Sequence, residues 1–304
     1  MAMTYLDRFP AEGFALSALA PRVGPFPLPG FLEAWREEIR PEVPMLIVST
    51  GKGILPLMET AGVIQFLGDN DLTDYHSPLG TDLDGSVEIL ATLIDRDMSL
   101  DLDSLPGEAA EPLVESLTRT GLRPKMSEQT VARVLALPSS VSEYHVMIGK
   151  KERHELRRKR RRYEDQVGLA TLCTDVGQGF GFDEFVRLHR LAPGDKGGFM
   201  TGERQRFFSR LAGQDGWRVD YLVRDGSATA CLFGWTNGSD YYLYNSSYDP
   251  SLQAASPGLV LLIGMIEHAI GEGWGVFDFL KGDEIYKARL GAAPRRLFRV
   301  EASR

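Results

Sequence analysis

The sequence predicts an α/β protein of two domains, on the evidence of chain length, composition and the order of its apolar segments. At 304 residues the chain is long enough for two domains that each bury a core. Hydrophobic residues make up 43% and charged residues 25% of the chain, as in soluble globular proteins. Short strand-like segments alternate with helix-like ones in both halves. Leu137-Pro138-Ser139-Ser140 is a plausible junction, so we expect domains 1–137 and 138–304.

The first domain is predicted to mix short strands with helices. Phe31, Trp35 and Ile39 fall near one face of a helix. The turn at residues 50–53 separates two apolar runs and indicates a hairpin. The predicted elements are helix Gly30–Ile39, strands Met45–Val48, Ile54–Met58 and Val63–Leu67, a helix capped by Ser86 that carries Val87, Leu90 and Ile94, and helix Ala109–Arg119.

The second domain is predicted to open with a long basic helix and to contain a three-stranded meander. The dipeptides Asp225-Gly226 and Asn237-Gly238 are strong signals for two-residue hairpin turns. The predicted elements are helix Ser142–Gln166, strand Gly168–Thr174, helices Phe182–Leu191 and Gly202–Leu211, strands Trp217–Arg224, Ala228–Trp235 and Asp240–Asn245, a helix from Ser256 to Ile270, strand Val276–Leu280, a short helix around Tyr286 and strand Arg296–Val300.

The helix that begins at Ser256 is predicted to bind an anion at its start. Ser256 is a good N-cap, and Pro257 suits the first helical position because its missing N–H costs nothing there. The free backbone N–H groups would face the carboxyl end of the preceding strand, an arrangement that binds a pyrophosphate. A second strand followed by Tyr286 supplies a titratable group nearby.

Three sequence blocks carry a family resemblance. They are Leu137-Pro138-Ser139 leading to Lys150–Arg160, Tyr248-Asp249-Pro250 with Ser256-Pro257-Gly258, and Phe277–Lys287. In order and spacing they resemble the FemAB-like, CelD-type branch of the GNAT acyltransferases, which is associated with bacterial polysaccharide and envelope biosynthesis. The resemblance covers about residues 138–300. It implies tandem GNAT-like (acyl-CoA N-acyltransferase) domains, each a mixed, mostly antiparallel sheet flanked by helices.

The resemblance also implies an activity and a donor. The protein would move an acyl group, with acetyl as the first expectation, from CoA to an amine or hydroxyl of an envelope or polysaccharide precursor. Ordinary GNAT enzymes hold the pyrophosphate with an Arg/Gln-x-x-Gly-x-Gly/Ala turn, whereas residues 256–260 contain a single glycine. FemAB-like relatives use aminoacyl-tRNA, so a FemAB-type ligase and a non-catalytic binding module are the alternatives. The expected acyl-CoA contacts are Ser256, Pro257, Gly258, Leu259, Tyr244 and Asn245.

Tyr286 is the predicted general acid, because its segment resembles the Tyr-x-x-x-Gly-Phe segment of other GNAT enzymes and a phenol can protonate a leaving thiolate. The alternative is a tyrosine that packs its helix onto the sheet. Asp249, Asp283 and Glu284 lie in loops at the expected carboxyl edge of the sheet and could accept a proton, with Asp249 and Glu284 as the preferred bases. Each could instead serve a turn or a helix start. The expected acceptor contacts are Tyr248, Lys281, Asp283, Lys287 and Arg158.

The basic helix is the third functional candidate. Nine Lys or Arg residues occur between Lys150 and Arg162, and successive residues point about 100° apart, so charge surrounds the helix. Some of these side chains, such as Arg158, are expected to bind CoA phosphates, a tRNA acceptor arm, or an anionic glycan or lipid. The alternative is pairing with the acid-rich segment Asp69–Glu115, which has thirteen acidic residues. No aromatic-rich single-strand motif favours nucleic acid as the main partner.

Other features of the sequence argue against a secreted, a membrane-spanning or a metal-binding protein. The two cysteines, Cys173 and Cys231, are expected to be small apolar residues in a reducing compartment, and with no signal pattern the cytoplasm is the expected location. No apolar stretch is long enough to span a membrane. Five scattered histidines and no paired cysteine spacing predict no metal site. The oligomeric state is left open.

Overall fold

The computed structural model describes residues 4–94 and 98–303, and the chain forms two compact units. The first unit comprises Met1–Val131 together with Arg295–Arg304, and the second comprises Ala132–Pro294. We expected the boundary after residue 137, but it lies after Val131, so residues 132–137 belong to the second unit. The last ten residues return to the first. Residues 95–97 of the acid-rich segment lie outside the described residues.

Strands and helices alternate through both units. In chain order they are β1 (Thr4–Leu6), α1 (Pro29–Glu38), β2 (Met45–Ser49), β3 (Gly53–Thr60), β4 (Val63–Phe66), β5 (Leu79–Gly80), α2 (Leu83–Leu93), β6 (Ser99–Pro106), α3 (Gly107–Arg119), β7 (Lys125–Ala136), α4 (Val141–Met147), α5 (Gly149–Gln166), β8 (Leu172–Val176), α6 (Phe180–Leu191), α7 (Asp195–Gly198), α8 (Gly202–Ala212), β9 (Trp217–Arg224), β10 (Ser227–Thr236), β11 (Asp240–Tyr248), α9 (Pro257–Gly271), β12 (Val276–Lys281), α10 (Ile285–Arg289) and β13 (Ala293–Ala302). A 3-10 helix, Pro250–Ala255, joins β11 to α9.

The first unit is built on the strand order β1-β2-β3-β4-β6-β13, with β5 paired to β3. The predicted hairpin is confirmed, because β2 and β3 pair antiparallel from Met45↔Met58 to Ser49↔Ile54. The prediction that Ser86 caps a helix is wrong. Helix α2 begins one turn earlier, and Asp82 accepts a hydrogen bond from Gly85 N at 3.1 Å. Ser86 instead donates to the Asp82 carbonyl at 2.9 Å.

Four strands were not predicted from the sequence: the short strands β1 and β5 and the longer strands β6 and β7. In β6 the buried residues Leu100 and Leu102 alternate with aspartates, the period-2 pattern of a half-buried strand, but the acidic composition hid it. Strand β7 is a twelve-residue strand whose pattern is mostly half-buried, so it lacks an apolar run. The predicted closing strand is confirmed as β13, which pairs antiparallel with β6 from Leu297↔Pro106 to Ala302↔Leu100.

The second unit has the strand order β7-β12-β11-β10-β9-β8. Its two hairpins are confirmed at the predicted dipeptides, and both Asp225 and Gly226 have the positive φ that such a turn requires. Alternate residues of β10 face opposite sides of the sheet. Phe233 packs against Phe185 of α6 and Phe208 of α8, whereas Leu232 belongs to the apolar cluster that includes α9.

The long basic helix is divided in two. We predict one helix over Ser142–Gln166, but α4 ends before Ile148 and α5 begins at Gly149, whose φ of +77° breaks the helical path. Ser140 caps α4, accepting a hydrogen bond from Glu143 N at 3.2 Å. Helix α5 contributes Leu156 and Tyr163 to the core of the second unit.

Candidate functional site

Two parallel strands of the second unit separate halfway along their length. Strands β11 and β12 pair at Asp240↔Val276, Tyr241↔Phe277 and Tyr242↔Asp278, and the pairing ends there. Strand β11 continues to Tyr248 and β12 continues to Lys281. The carboxyl halves of the two strands are therefore not hydrogen-bonded to each other, and they lie at the edge where ligands of α/β folds usually bind.

Both strands are irregular just beyond the point of separation. In β11, Phe233 pairs with Asn245 but Gly234 pairs with Leu243, which leaves Tyr244 as the extra residue of a β-bulge. In β12 the register against β7 shifts between Asp278 and Lys281. Leu280 there has a φ of +60°, and its N–H donates to the buried Asp278 carboxylate at 2.8 Å. Bulges of this kind redirect a strand and are frequent next to active sites.

Helix α9 begins beside the end of β11. A Cβ built on Gly258 would lie 3.6 Å from Tyr248 Cδ1, so the first turn of the helix contacts the last residue of the strand. Pro257 occupies the first helical position, as predicted. The backbone amides of Gly258 and Leu259 have no acceptor among the described residues. The structure thus brings Tyr248, Pro257, Gly258 and Leu259 together at one helix start.

The prediction that Ser256 caps α9 with its side chain is wrong. Ser256 adopts a left-handed backbone conformation, with φ 56° and ψ 49°, and makes no capping hydrogen bond. Its hydroxyl instead accepts a hydrogen bond from Lys159 Nζ at 3.0 Å. The result is an uncapped helix start with a lysine ammonium next to it.

Lys159 was missed by the sequence analysis. It lies three residues after Leu156 and four before Tyr163, the two buried residues of α5, so helical spacing places it at the border of the buried face. That spacing was a usable signal. The predicted contact Arg158 points elsewhere, since it is largely exposed and pairs with Glu155 through two hydrogen bonds of 2.9 and 2.7 Å. This pairing lowers the pKa of Glu155.

Tyr244 and Asn245 lie in a polar and aromatic layer of the second unit. The ring of Tyr244 stacks on Phe208, with centroids 5.4 Å apart, and meets Trp217 edge-on. Asn245 Oδ1 lies 2.8 Å from Nε2 of the buried His189, a residue that the sequence analysis did not single out. Tyr244 and Asn245, the two β11 residues predicted to contact acyl-CoA, therefore contact other side chains of the protein at the bulge.

Tyr286 lies on the short helix α10 and remains 40% exposed. Its ring meets Phe279 of β12 edge-on, with centroids 6.4 Å apart, and its hydroxyl has no hydrogen-bond partner among the described residues. Partial burial, assisted by the charge of Glu284, raises the pKa of Tyr286 to about 12. The phenol is therefore protonated at neutral pH and can donate a proton.

The loop between β12 and α10 is fixed by a buried lysine. Lys287 Nζ donates to the carbonyls of Lys281 and Gly282 at 2.7 and 3.3 Å and pairs with Glu284 at 2.9 Å. Lys287 is only 3% exposed, so its ammonium holds the loop and is not presented to an acceptor, in contrast to our expectation. Lys281 supplies a carbonyl to this arrangement and is itself half-buried.

The three candidate bases all have structural partners. Asp249 accepts hydrogen bonds from the backbone and hydroxyl of Ser251 at 2.9 and 2.6 Å, as a turn residue does. Asp283 is exposed and pairs with Arg133, whose Nε lies 2.7 Å away. Glu284 pairs with Lys287 as described above. The Asp249 contacts match the alternative of a turn residue, whereas Asp283 and Glu284 form ion pairs and neither caps α10 with its side chain.

No group of three or more His, Cys, Asp or Glu side chains suited to a metal ion occurs among the described residues. Within the same part of the chain, no helix is both long enough and apolar enough to cross a membrane. Cys231 is buried, and Cys173 is half-buried.

Comparison with known proteins identifies the fold. Residues 150–288 match the family model described as "Acetyltransferase (GNAT) domain". A conserved protein of unknown function from Bacteroides thetaiotaomicron superimposes with a TM-score of 0.68 at 12% identity over 100% of both chains. FemX gives 0.61 at 10% identity over 95% of this chain and 94% of its own. L-PGS from Bacillus licheniformis gives 0.60 at 15% identity, covering 93% of each chain.

Comparison with curated protein sequences gives no match. The structural similarities therefore establish the fold alone, and the CelD-type branch stays a prediction. The family match, the parallel strands that separate and the uncapped helix that follows them all fall in the same part of the chain. The match to the GNAT acetyltransferase domain model lies within the second unit of this protein.

Proposed function

We propose that the second unit transfers an acyl group, acetyl being the first candidate, from acyl-CoA to the amine or hydroxyl of a small molecule or glycan precursor. The observation that carries the proposal is the separation of β11 from β12 beside the uncapped start of α9. An extended thioester would bind between the separated strand ends, and the helix start would provide donors for its phosphates.

The donor pyrophosphate would bind at residues 256–259. The amides of Gly258 and Leu259 point away from the helix and carry its positive dipole end. The single glycine of this turn gives fewer amide donors than the usual GNAT loop, and Lys159 compensates by adding a positive charge. Ser256 holds that ammonium in place, so its function is to position Lys159.

The reaction would be direct acyl transfer. The acceptor nitrogen or oxygen attacks the thioester carbonyl carbon, the C–S bond breaks, and the CoA thiolate leaves. Backbone N–H groups of β11 beyond Tyr242 no longer pair with β12, and those that point away from β10 could donate to the oxyanion of the intermediate. Tyr286 would protonate the leaving thiolate.

A second group must accept the proton that the attacking amine or hydroxyl loses. Asp249 and Glu284 are the candidate bases, acting directly or through water, although each has a protein partner in the absence of ligands. Tyr248, Lys281 and Asp283 lie at the ends of the separating strands and are the proposed acceptor contacts. An envelope or polysaccharide precursor as acceptor, and the cytoplasm as the place of reaction, rest on the family resemblance alone.

One observation favours a second candidate function. The outward side of α5 is basic, which suits an aminoacyl-tRNA donor in a FemAB-type transfer. In that case the purified protein would transfer an aminoacyl group from charged tRNA, and ribonuclease would abolish the activity. A GNAT-like module without catalysis would bind its ligand but give no turnover with either donor.

Titration calorimetry with acetyl-CoA and CoA tests the proposal. Both ligands are expected to bind the unmodified protein, and Gly258→Glu should weaken binding at least tenfold by placing a carboxylate where the phosphates bind. A glutamate in the first turn is compatible with the helix dipole, so the fold should persist. Gly264→Ala is the matched control, since a Cβ there meets nothing within 4 Å. Absence of acyl-CoA binding, or equal affinity in Gly258→Glu, would refute the donor site.

A further inference from the structure

The outward face of α5 is basic from Lys150 in its first turn to Arg161 in its fourth. Lys150, Lys151, Arg157 and Arg161 have no ion pair or hydrogen bond to a described side chain. Glu152 and Glu155 lie toward the flanks, and the first exposed acidic residue of the helix is Glu164. A surface of one charge sign therefore extends over about 16 Å, at 1.5 Å per residue.

The opposite face of α5 fixes this orientation. Leu156 and Tyr163 are buried in the core, and Arg160 pairs with Glu267 of α9 at 2.7 Å. Glu267 also lies 3.2 Å from His145 of α4, so one carboxylate ties α4 and α5 to α9. Among the side chains that the structure describes, the carboxylates that pair with this helix are thus Glu155 and Glu267, and neither pairs with the outward charges.

Exposed apolar side chains precede the basic face. Val146 is 73% exposed and Met147 is 47% exposed, at the end of α4 and only three residues before Lys150. Met147 is covered on one side, where its Cε approaches Gly291, and the rest of its surface is exposed together with most of Val146. Apolar side chains followed by a basic helix face are the two features that combine in binding to an anionic lipid surface.

We infer that the α4–α5 segment, residues 146–161, docks the protein onto a membrane that contains anionic lipids. The basic side chains would contact lipid phosphates, and Val146 and Met147 would enter the boundary between headgroups and acyl chains. The net charge of the chain is −8, so attraction must come from this local surface and not from the protein as a whole.

The same observations favour a membrane over RNA. Binding of single-stranded RNA relies on aromatic side chains that stack on bases, and α5 exposes no Phe, Tyr or Trp, because Tyr163 is fully buried and only the smaller ring of His154 is exposed. Two exposed aliphatic side chains next to the charges add nothing to phosphate binding but contribute directly to insertion between lipids.

Co-sedimentation with vesicles tests the inference on the full-length protein. Binding to phosphatidylcholine vesicles should appear only when phosphatidylglycerol is included, and added salt should weaken it. Replacement of Lys150, Lys151, Arg157 and Arg161 by glutamine should reduce binding on the order of tenfold or more. Val146→Ser with Met147→Ser should reduce the binding that remains at high salt.

A matched variant controls for total charge. Arg8, Lys52, Arg123 and Lys125 are exposed residues of the first unit, and their replacement by glutamine removes the same two lysines and two arginines' worth of charge. This control variant should bind vesicles as the unmodified protein does. If it loses as much vesicle binding as the α5 variant, the inference is overturned. Tighter binding of bulk tRNA than of vesicles at the same salt concentration would also overturn it. Acetyl-CoA calorimetry on the α5 variant separates this inference from the proposed function. Acetyl-CoA binding depends on residues 256–259, which this variant leaves unchanged.

Discussion

Two helices of the second unit follow a serine, but only one of the two serines caps its helix with its side chain. At α4, Ser140 has an extended backbone and accepts a hydrogen bond from Glu143 N. At α9, Ser256 has a left-handed backbone and its hydroxyl accepts a hydrogen bond from Lys159, while the amides of Gly258 and Leu259 have no acceptor among the described residues. The α4 start is satisfied by the protein itself. The α9 start has amide donors that a solvent molecule or a ligand can satisfy.

The comparison shows that residue type does not decide whether a helix start is closed. The conformation of the serine backbone decides it, because only an extended residue can aim its hydroxyl at the amide three positions on. Tyr286 adds a second unsatisfied donor to the open region, since its hydroxyl also has no described partner. Open donors at strand ends are what a site for an anionic acyl carrier requires.

The largest expected effect concerns Tyr286. If the phenol protonates the thiolate, Tyr286→Phe should lower kcat about 100-fold, the lower range for loss of a general acid, with little change in acetyl-CoA affinity. Ile285→Ala is the control, because it alters the same short helix at a residue that is 70% exposed. Unchanged turnover in Tyr286→Phe would leave this residue with a packing role only.

The pH dependence of kcat also tests the assignment of Tyr286 as the general acid. Burial raises the pKa of Tyr286 to about 12, so the proton that it must donate stays bound through the neutral and moderately alkaline range. The contribution of Tyr286 to kcat should therefore be constant up to about pH 10 and fall only as pH approaches the raised pKa. An alkaline decline near pH 8 that disappears in Tyr286→Phe would contradict this.

A smaller effect is expected at Lys159. Lys159→Met keeps the length of the side chain but removes its charge, and acetyl-CoA affinity should fall about tenfold, or about 1.4 kcal/mol. Lys151→Met, on the exposed face of the same helix, should leave affinity unchanged. Calorimetry on both variants provides the comparison, and equal affinities would mean that the amides act without the lysine.

The smallest effects concern the two serines and fold stability. Ser140→Ala removes a capping bond and should lower the free energy of unfolding by about 1 kcal/mol. Ser256→Ala removes no capping bond and should change it by less than about 0.5 kcal/mol. Urea unfolding followed by circular dichroism measures both. Equal losses in the two variants would show that the hydroxyl of Ser256 supports α9 after all.

Much of the fold was predictable because local signals and tertiary packing agree in it. The hairpin dipeptides, the apolar run of α9 and Pro257 at its first position each specify an element without help from distant residues. Strands β6 and β7 could not be predicted in this way. Their polar faces are compatible with loops, and pairing with distant strands determines their conformation.

The site was predictable in position but not in its details. The sequence indicated the α9 start and Tyr286, both of which have donors without described partners. It could not show that Lys287 is buried against two carbonyls, or that Asp283 meets Arg133, which is 150 positions away in the chain. Such pairings depend on three-dimensional proximity, which residue types alone do not encode.

The return of β13 to the first unit has a consequence for biosynthesis. Strand β6 is translated well before β13, and the 163 residues of the second unit, Ala132–Pro294, separate the first unit's main segment from its last strand. Because a ribosome delivers the chain in order, β13 can pair with β6 only after the second unit has been synthesised. The second unit can therefore mature before the sheet of the first is finished.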